Sequence, residues 1–198
     1  MHTILTISRQ FASGGHTIGL GAAKRLGIPC YDEQLIRRIS EESGLTEEYL
    51  REDSERLQGG LSALLSPSSR EDAAMRSYVW NLQKKTIRDL AEKEDCVIVG
   101  RCANLVLPDT ADLLRVCIRA DDDFRLRRIR EEYEEREEAP ERRLRQKDEE
   151  RKAYYEYFTD HKWGDPADFD LIVNSGTLGF ETCIELICTC YERRKNGK

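Results

Sequence analysis

Ser13, Gly14, Gly15, His16 and Thr17 stand between the apolar run TILTIS and the helix-forming run IGLGAAKRLG. A strand that ends in a glycine-bearing turn and re-enters as a helix aims several backbone N–H groups at one spot. The helix N-terminus adds about half a positive charge there. Glycines let the backbone approach a phosphate closely and visit positive φ. Thr17 adds a hydroxyl within reach of a bound Mg²⁺. The phosphate-loop pattern G-x-x-x-x-G-K-[ST] is met only in part. With Gly15 on the second glycine, His16 takes the lysine slot and Gln10 replaces the first glycine. One residue earlier, Arg9 and Gly14 take the glycine positions and Gly15 the lysine. The lysine is missing in both registers, and the segment alone reads equally well as a strand–turn–helix corner. Arg9 and His16 are the local replacements for the charge. Arg9 is the better of the two, because a guanidinium is always protonated and grips phosphate with two donors.

Other chemistry-bearing residues follow strand ends. Asp32 comes just after the short run IPCY, where an aspartate also serves as a helix N-cap. Arg101 follows VIVG, at the C-terminal edge where open α/β sheets bind ligands. Arg125 and Arg128 lie three apart, on one helix face just past another strand end, suited to charge on a phosphoryl group in transfer. The other charges of that run read as a solvated face. In APERRLRQKDEERKAYYEYF, Asp148 and Arg151 share a helical stripe with Leu144, Tyr155 and Phe158. They read as a buried ion pair or as substrate contacts. DHKWGDP reads as a structural turn with Trp163 packed on the tyrosines, and His2 and His161 as incidental.

Five apolar runs are predicted as the strands that position these groups: 3–8, 28–31, 96–100, 113–120 and 170–175. Helices are expected over 17–26, 33–43, 46–65, 71–94, 121–138, 141–158 and 178–194. The lack of polar alternation in three strands points to a parallel sheet covered on both faces, hence a three-layer α/β fold. One domain is expected over 198 residues, with a helical insertion at about 33–94 and a charged helical arm at about 121–160 hinged near Pro140. A net charge of −6 argues against a nucleic-acid polymer as partner. Seven cysteines, an odd count without a CxxC pair, read as free thiols of a cytoplasmic protein. No signal peptide or membrane span is read.

Together TISRQFASGGHTIGLGAAKRLGIPCYDEQLI, VIVGRCAN and DEERKAYYEYFTDHKWGDPADFDLIVNSGTLG resemble the cytidylate-kinase-like family, a divergent branch of the P-loop nucleoside monophosphate kinases. The resemblance implies a five-stranded parallel sheet with a helical monophosphate-binding insertion and a lid. It also implies ATP and Mg²⁺ as cofactors and small nucleotides as partners, with CMP or dCMP as acceptor. Ser13, Gly14, Gly15, His16 and Thr17 match the phosphate loop, with Thr17 on the metal. Asp32, Arg38 and Arg101 match acceptor-binding residues, Arg125 and Arg128 match lid arginines, and Lys147 and Asp148 match the pair after the lid. Arg151, on their stripe, joins the expected substrate contacts. This chain departs from cytidylate kinases proper in VGRC, YDEQ and the absent lysine. Two alternatives therefore stand beside the kinase: a nucleotide-binding sensor with little turnover, and a kinase for another small acceptor.

Overall fold

A computed structural model describes residues 2–50, 69–107, 112–133 and 138–197. Five strands, β1 (Thr3–Arg9), β2 (Cys30–Tyr31), β3 (Cys96–Val99), β4 (Asp112–Arg119) and β5 (Leu171–Asn174), form one sheet in the order β2-β3-β1-β4-β5. Every pairing is parallel. The sheet separates two apolar clusters. Ile4, Cys96, Ile98 and Leu113 face one, and Leu5, Ile7, Val97, Val99, Leu114, Val116 and Ile118 face the other. Residues of both parities are therefore buried, the physical reason the strands read as unbroken apolar runs.

Helix α1 (Gly15–Leu26) lies on the second face beside the C-terminal helix α8 (Phe180–Asn196). The first face is covered by α2 (Glu33–Ser43), α3 (Ser69–Lys93) and the short α4 (Ala103–Val106), with Tyr154 and Tyr155 of α6 (Pro140–Thr159). Leu35, Ile87 and Leu90 are at most 1% exposed, and burying a side chain of that size contributes about 1.5–3 kcal/mol. Helix α5 (Asp122–Glu132) precedes α6, and the one-turn α7 (Ser175–Leu178) precedes α8.

Some boundaries differ from those predicted. The helix expected over 121–138 ends at Glu132, where Tyr133 turns extended (φ −105°, ψ 147°) and packs its ring on Phe11. The helix expected over 46–65 lies mostly outside the described residues, of which 47–50 are helical. Strand β2 keeps only two of its four expected residues. All seven cysteines are free. Among the described residues no helix is long and apolar enough to cross a membrane, and no cluster of three or more His, Cys, Asp and Glu is arranged to hold a metal ion.

Candidate active site

The turn from β1 into α1 is held by its carbonyls. Arg151 donates to the Arg9 carbonyl (3.1 Å), Ser13 Oγ to that of Gln10 (2.9 Å), Arg125 to that of Phe11 (3.4 Å), Arg128 to that of Ala12 (2.9 Å) and Ser175 Oγ to that of Ser13 (2.6 Å). The Phe11 N–H donates to Asp148 (2.7 Å). Ala12 and Gly14 adopt left-handed conformations, φ 58° and 81°. With the carbonyls occupied, the N–H groups of Ala12 and of Gly14, Gly15, His16 and Thr17 have no partner among the described residues. Four of these open α1, so an anion there meets free donors and the positive end of a helix. The Thr17 hydroxyl, exposed in that first turn, is likewise without a partner among the described residues.

Beside the turn opens a cavity of about 520 Å³. Its basic wall carries Arg9, Arg101, Lys147 and Arg151, its acidic groups are Asp32 and Glu150, and its aromatic wall is Tyr133, Tyr154, Tyr155 and Trp163. The Arg9 side chain passes over Gly15, where an added Cβ would sit 2.5 Å from the Arg9 Cβ. Its guanidinium then lies against Gly100, which leaves no room for a side chain at that position. Gly100, Arg101 and Cys102 are three successive left-handed residues, with φ 76°, 56° and 55°. For the two non-glycine residues such backbone costs on the order of 1–3 kcal/mol each. The bend is supported by Gln83, whose amide donates to the Arg101 carbonyl (3.0 Å) and accepts from the Tyr154 hydroxyl (3.0 Å). It delivers Arg101 to the cavity at the C-terminal edge of the sheet.

Charge in the cavity is unevenly paired. Asp32 begins α2, yet it makes no cap to the helix backbone. Its carboxylate is turned instead to His16 Nδ1 (2.6 Å) and to Arg9 Nη2 (3.9 Å). Burial, and after it the positive charge of Arg101, lower the Arg9 pKa against the opposing pull of Asp32. Burial and the charge of Arg9 bring Arg151 down to about 9, so it stays protonated at neutral pH. Lys147 Nζ is bound to Glu150 (2.8 Å), itself 5% exposed. Burial pushes the Cys102 thiol up to about 12 despite the neighbouring arginines, so it is no nucleophile at neutral pH.

Of the residues singled out from sequence, Arg9, His16, Asp32, Arg101, Lys147 and Arg151 line the cavity, and Ser13, Gly14, Gly15 and Thr17 form the adjoining turn. Arg38 lies over the Tyr31 ring, 5.5 Å from its centroid. Arg125 and Arg128 are buried behind the turn. Arg125 is paired with Asp122 (2.6 Å) and Asp148, and Arg128 with Glu132 while lying over the Phe180 ring (4.8 Å). Asp148 thus pairs across to α5, and the alternative of an Asp148–Arg151 ion pair is not realised. Glu150 escaped the sequence reading although it borders the cavity, and its flank KDEERK carries no signal of an inward direction. Trp163, expected against the tyrosines, packs against the cluster that holds Tyr154 and Tyr155 and borders the cavity beside them. His161 does not line the cavity; its Nδ1 lies 2.7 Å from buried Asp168, which accepts from the Tyr155 hydroxyl (2.8 Å). His2 contacts Asp95 (3.2 Å).

The fold is that of the P-loop, nucleoside-monophosphate-kinase-like proteins. An uncharacterized protein from Eubacterium ventriosum superposes with a TM-score of 0.73 at 24% identity, over 96% of this chain and 99% of the other. Shikimate kinase from Bacteroides thetaiotaomicron gives 0.55 at 18% identity, over 96% and 98%. Deoxyadenosine kinase from M. mycoides, in a structure with products dCMP and dCDP bound, gives 0.53 at 17% identity, over 96% and 99%. No curated protein matches the sequence. Residues 4–177 match the cytidylate kinase-like family, and the chain belongs to it.

Proposed function

We propose that this protein transfers the γ-phosphoryl group of ATP to a small acceptor that carries its own phosphate, with CMP or dCMP foremost. The observation that carries the reading is the row of N–H groups at the start of α1 without a partner among the described residues, opening beside a cavity walled by three guanidinium groups. The free donors suit the donor phosphates, and the Arg9 and Arg101 guanidiniums suit the acceptor phosphate. A phosphate oxygen of the acceptor attacks the γ-phosphorus, the bond from that phosphorus to the β,γ-bridging oxygen breaks, and ADP leaves with the electron pair. The protein contributes position and charge, with no covalent intermediate.

Mg²⁺ fits here as an ion carried mainly by the nucleotide. The protein offers the Thr17 hydroxyl, and such a site keeps several waters. The ion would neutralise phosphate charge. The aromatic wall of Tyr133, Tyr154, Tyr155 and Trp163 suits a nucleobase face. A cytoplasmic location belongs to the same reading, in keeping with seven free thiols.

A second reading rests on His16. The residue in the lysine slot is tied to Asp32 (2.6 Å), which favours a nucleotide-binding sensor with little turnover. A coupled ADP-release assay with ATP, Mg²⁺ and a panel of nucleoside monophosphates and small alcohols separates the two. ADP release dependent on CMP or dCMP is expected. ATP-dependent thermal stabilisation without turnover on any acceptor leaves the sensor, and turnover on an alcohol alone moves the acceptor class.

A further inference from the structure

The turn lacks its lysine, and the cations around it differ in what they are free to do. His16 is bound to Asp32. Behind the turn, Arg125 holds a loop carbonyl and two carboxylates, and Arg128 holds a loop carbonyl and the carboxylate of Glu132. Lys147 is bound to buried Glu150. Arg9, though it starts the turn, sends its guanidinium to Gly100 and Asp32 on the β3 side, where Arg101 also emerges. Arg151 remains. It reaches from α6 to the first carbonyl of the turn (3.1 Å), lies over the Phe11 ring (5.6 Å) and borders the cavity. Among the described residues that carbonyl is its one hydrogen-bond partner and no carboxylate pairs with it. A guanidinium carries five donors. Most of those on Arg151 are therefore unused, on a cation disfavoured by burial and by Arg9. An incoming anion relieves both conditions.

We infer that Arg151, carried by the helical arm and not by the loop, supplies the charge of the missing lysine and contacts the terminal phosphates of the donor nucleotide. The inference rests on the reading that ATP is the donor. It assigns Arg9 and Arg101 to the acceptor side. It also makes the phosphate site composite, with amides from the turn and the cation from α6, held in register by the Arg151–Arg9 carbonyl contact.

The test is ATP binding to the full chain with Mg²⁺, by calorimetry, for wild type and for Arg151→Gln, Arg151→Lys, Arg9→Gln and Arg101→Gln. Arg151→Gln is expected to weaken ATP at least tenfold, as for a lost charge-assisted phosphate contact, while AMP affinity moves less than twofold. Arg151→Lys restores most of the loss. Arg9→Gln and Arg101→Gln leave ATP within about threefold and weaken CMP. In the wild type, phenylglyoxal labelling of Arg151, mapped by peptide mass, is slowed at least tenfold by ATP and not by AMP, a readout independent of any variant's folding. ATP affinity unchanged in Arg151→Gln but lost in Arg9→Gln overturns the assignment, as does labelling of Arg151 indifferent to ATP. Wild type that binds no ATP removes the functional reading along with it. Wild type that binds ATP through Arg151 but transfers nothing removes only the kinase.

Discussion

Asp148→Asn tests whether the arm determines the shape of the loop. Asp148 accepts the Phe11 N–H at 2.7 Å and pairs with Arg125, while Arg125 donates to the Phe11 carbonyl, so one ion pair grips both sides of a single residue. Arg125 is 4% exposed. Burial opposes its charge, and the hydrogen bonds to Asp148 and Asp122 more than restore it, leaving its pKa raised. Removing one partner of a fully buried pair costs about 3–5 kcal/mol. Here the loss is smaller: Asp122 still pairs with Arg125 at 2.6 Å, and an asparagine oxygen still accepts the Phe11 N–H. A cost of about 2 kcal/mol follows, or roughly 4–8 °C in Tm for a chain of this size. Urea unfolding of Asp148→Asn, Arg125→Met and the double variant checks it. The double variant is expected to cost less than the sum of the singles by about 1 kcal/mol or more, since removing both charges leaves no orphan. ATP affinity should fall in Asp148→Asn as the loop loosens. A change under about 0.5 kcal/mol with additive singles would refute the view that this pair holds the turn.

Two further perturbations bear on the site and on the base of the sheet. Gly100→Ala forces a Cβ onto the Arg9 guanidinium at a backbone of φ 76°. It is expected to weaken CMP binding at least tenfold, with a stability loss of about 1–2 kcal/mol, read by calorimetry and thermal melts. Asp95 lies below its ordinary 3.8: burial acts to raise it, but hydrogen bonds from Lys195 (2.6 Å), the Thr3 N–H (3.0 Å) and His2 outweigh burial. The unfolded chain therefore takes up the proton first, so this contribution is complete above the ordinary value and is lost as pH falls through it toward the folded pKa. Urea midpoints measured from pH 6 down to pH 3 should fall less steeply in Asp95→Asn than in wild type.

Much of the scaffold was legible in the sequence because burial on both faces of a parallel sheet writes itself as unbroken apolar runs, and chain order alone puts a loop at the end of each. Ser13 to Thr17 and Arg101 could be located that way, since a residue following an apolar strand has only the sheet edge to occupy. The charged helices carry no such constraint. Arg125, Arg128, Lys147 and Arg151 carry the charge of a phosphate site with Asp148 among them, yet α5 and α6 are polar around most of their circumference, and spacing says only which residues share a face. Packing of the arm against the turn decided which way each one points. It buried Arg125 and Arg128 against the loop carbonyls, paired Asp148 across helices, and left Arg151 and Trp163 at the cavity. The sequence by itself determined that a phosphate-loop-like turn without its lysine opens at the sheet edge. Only the tertiary structure decided which arginines reach the cavity with donors to spare, because hydrogen-bond saturation depends on partners from elements far apart in the chain.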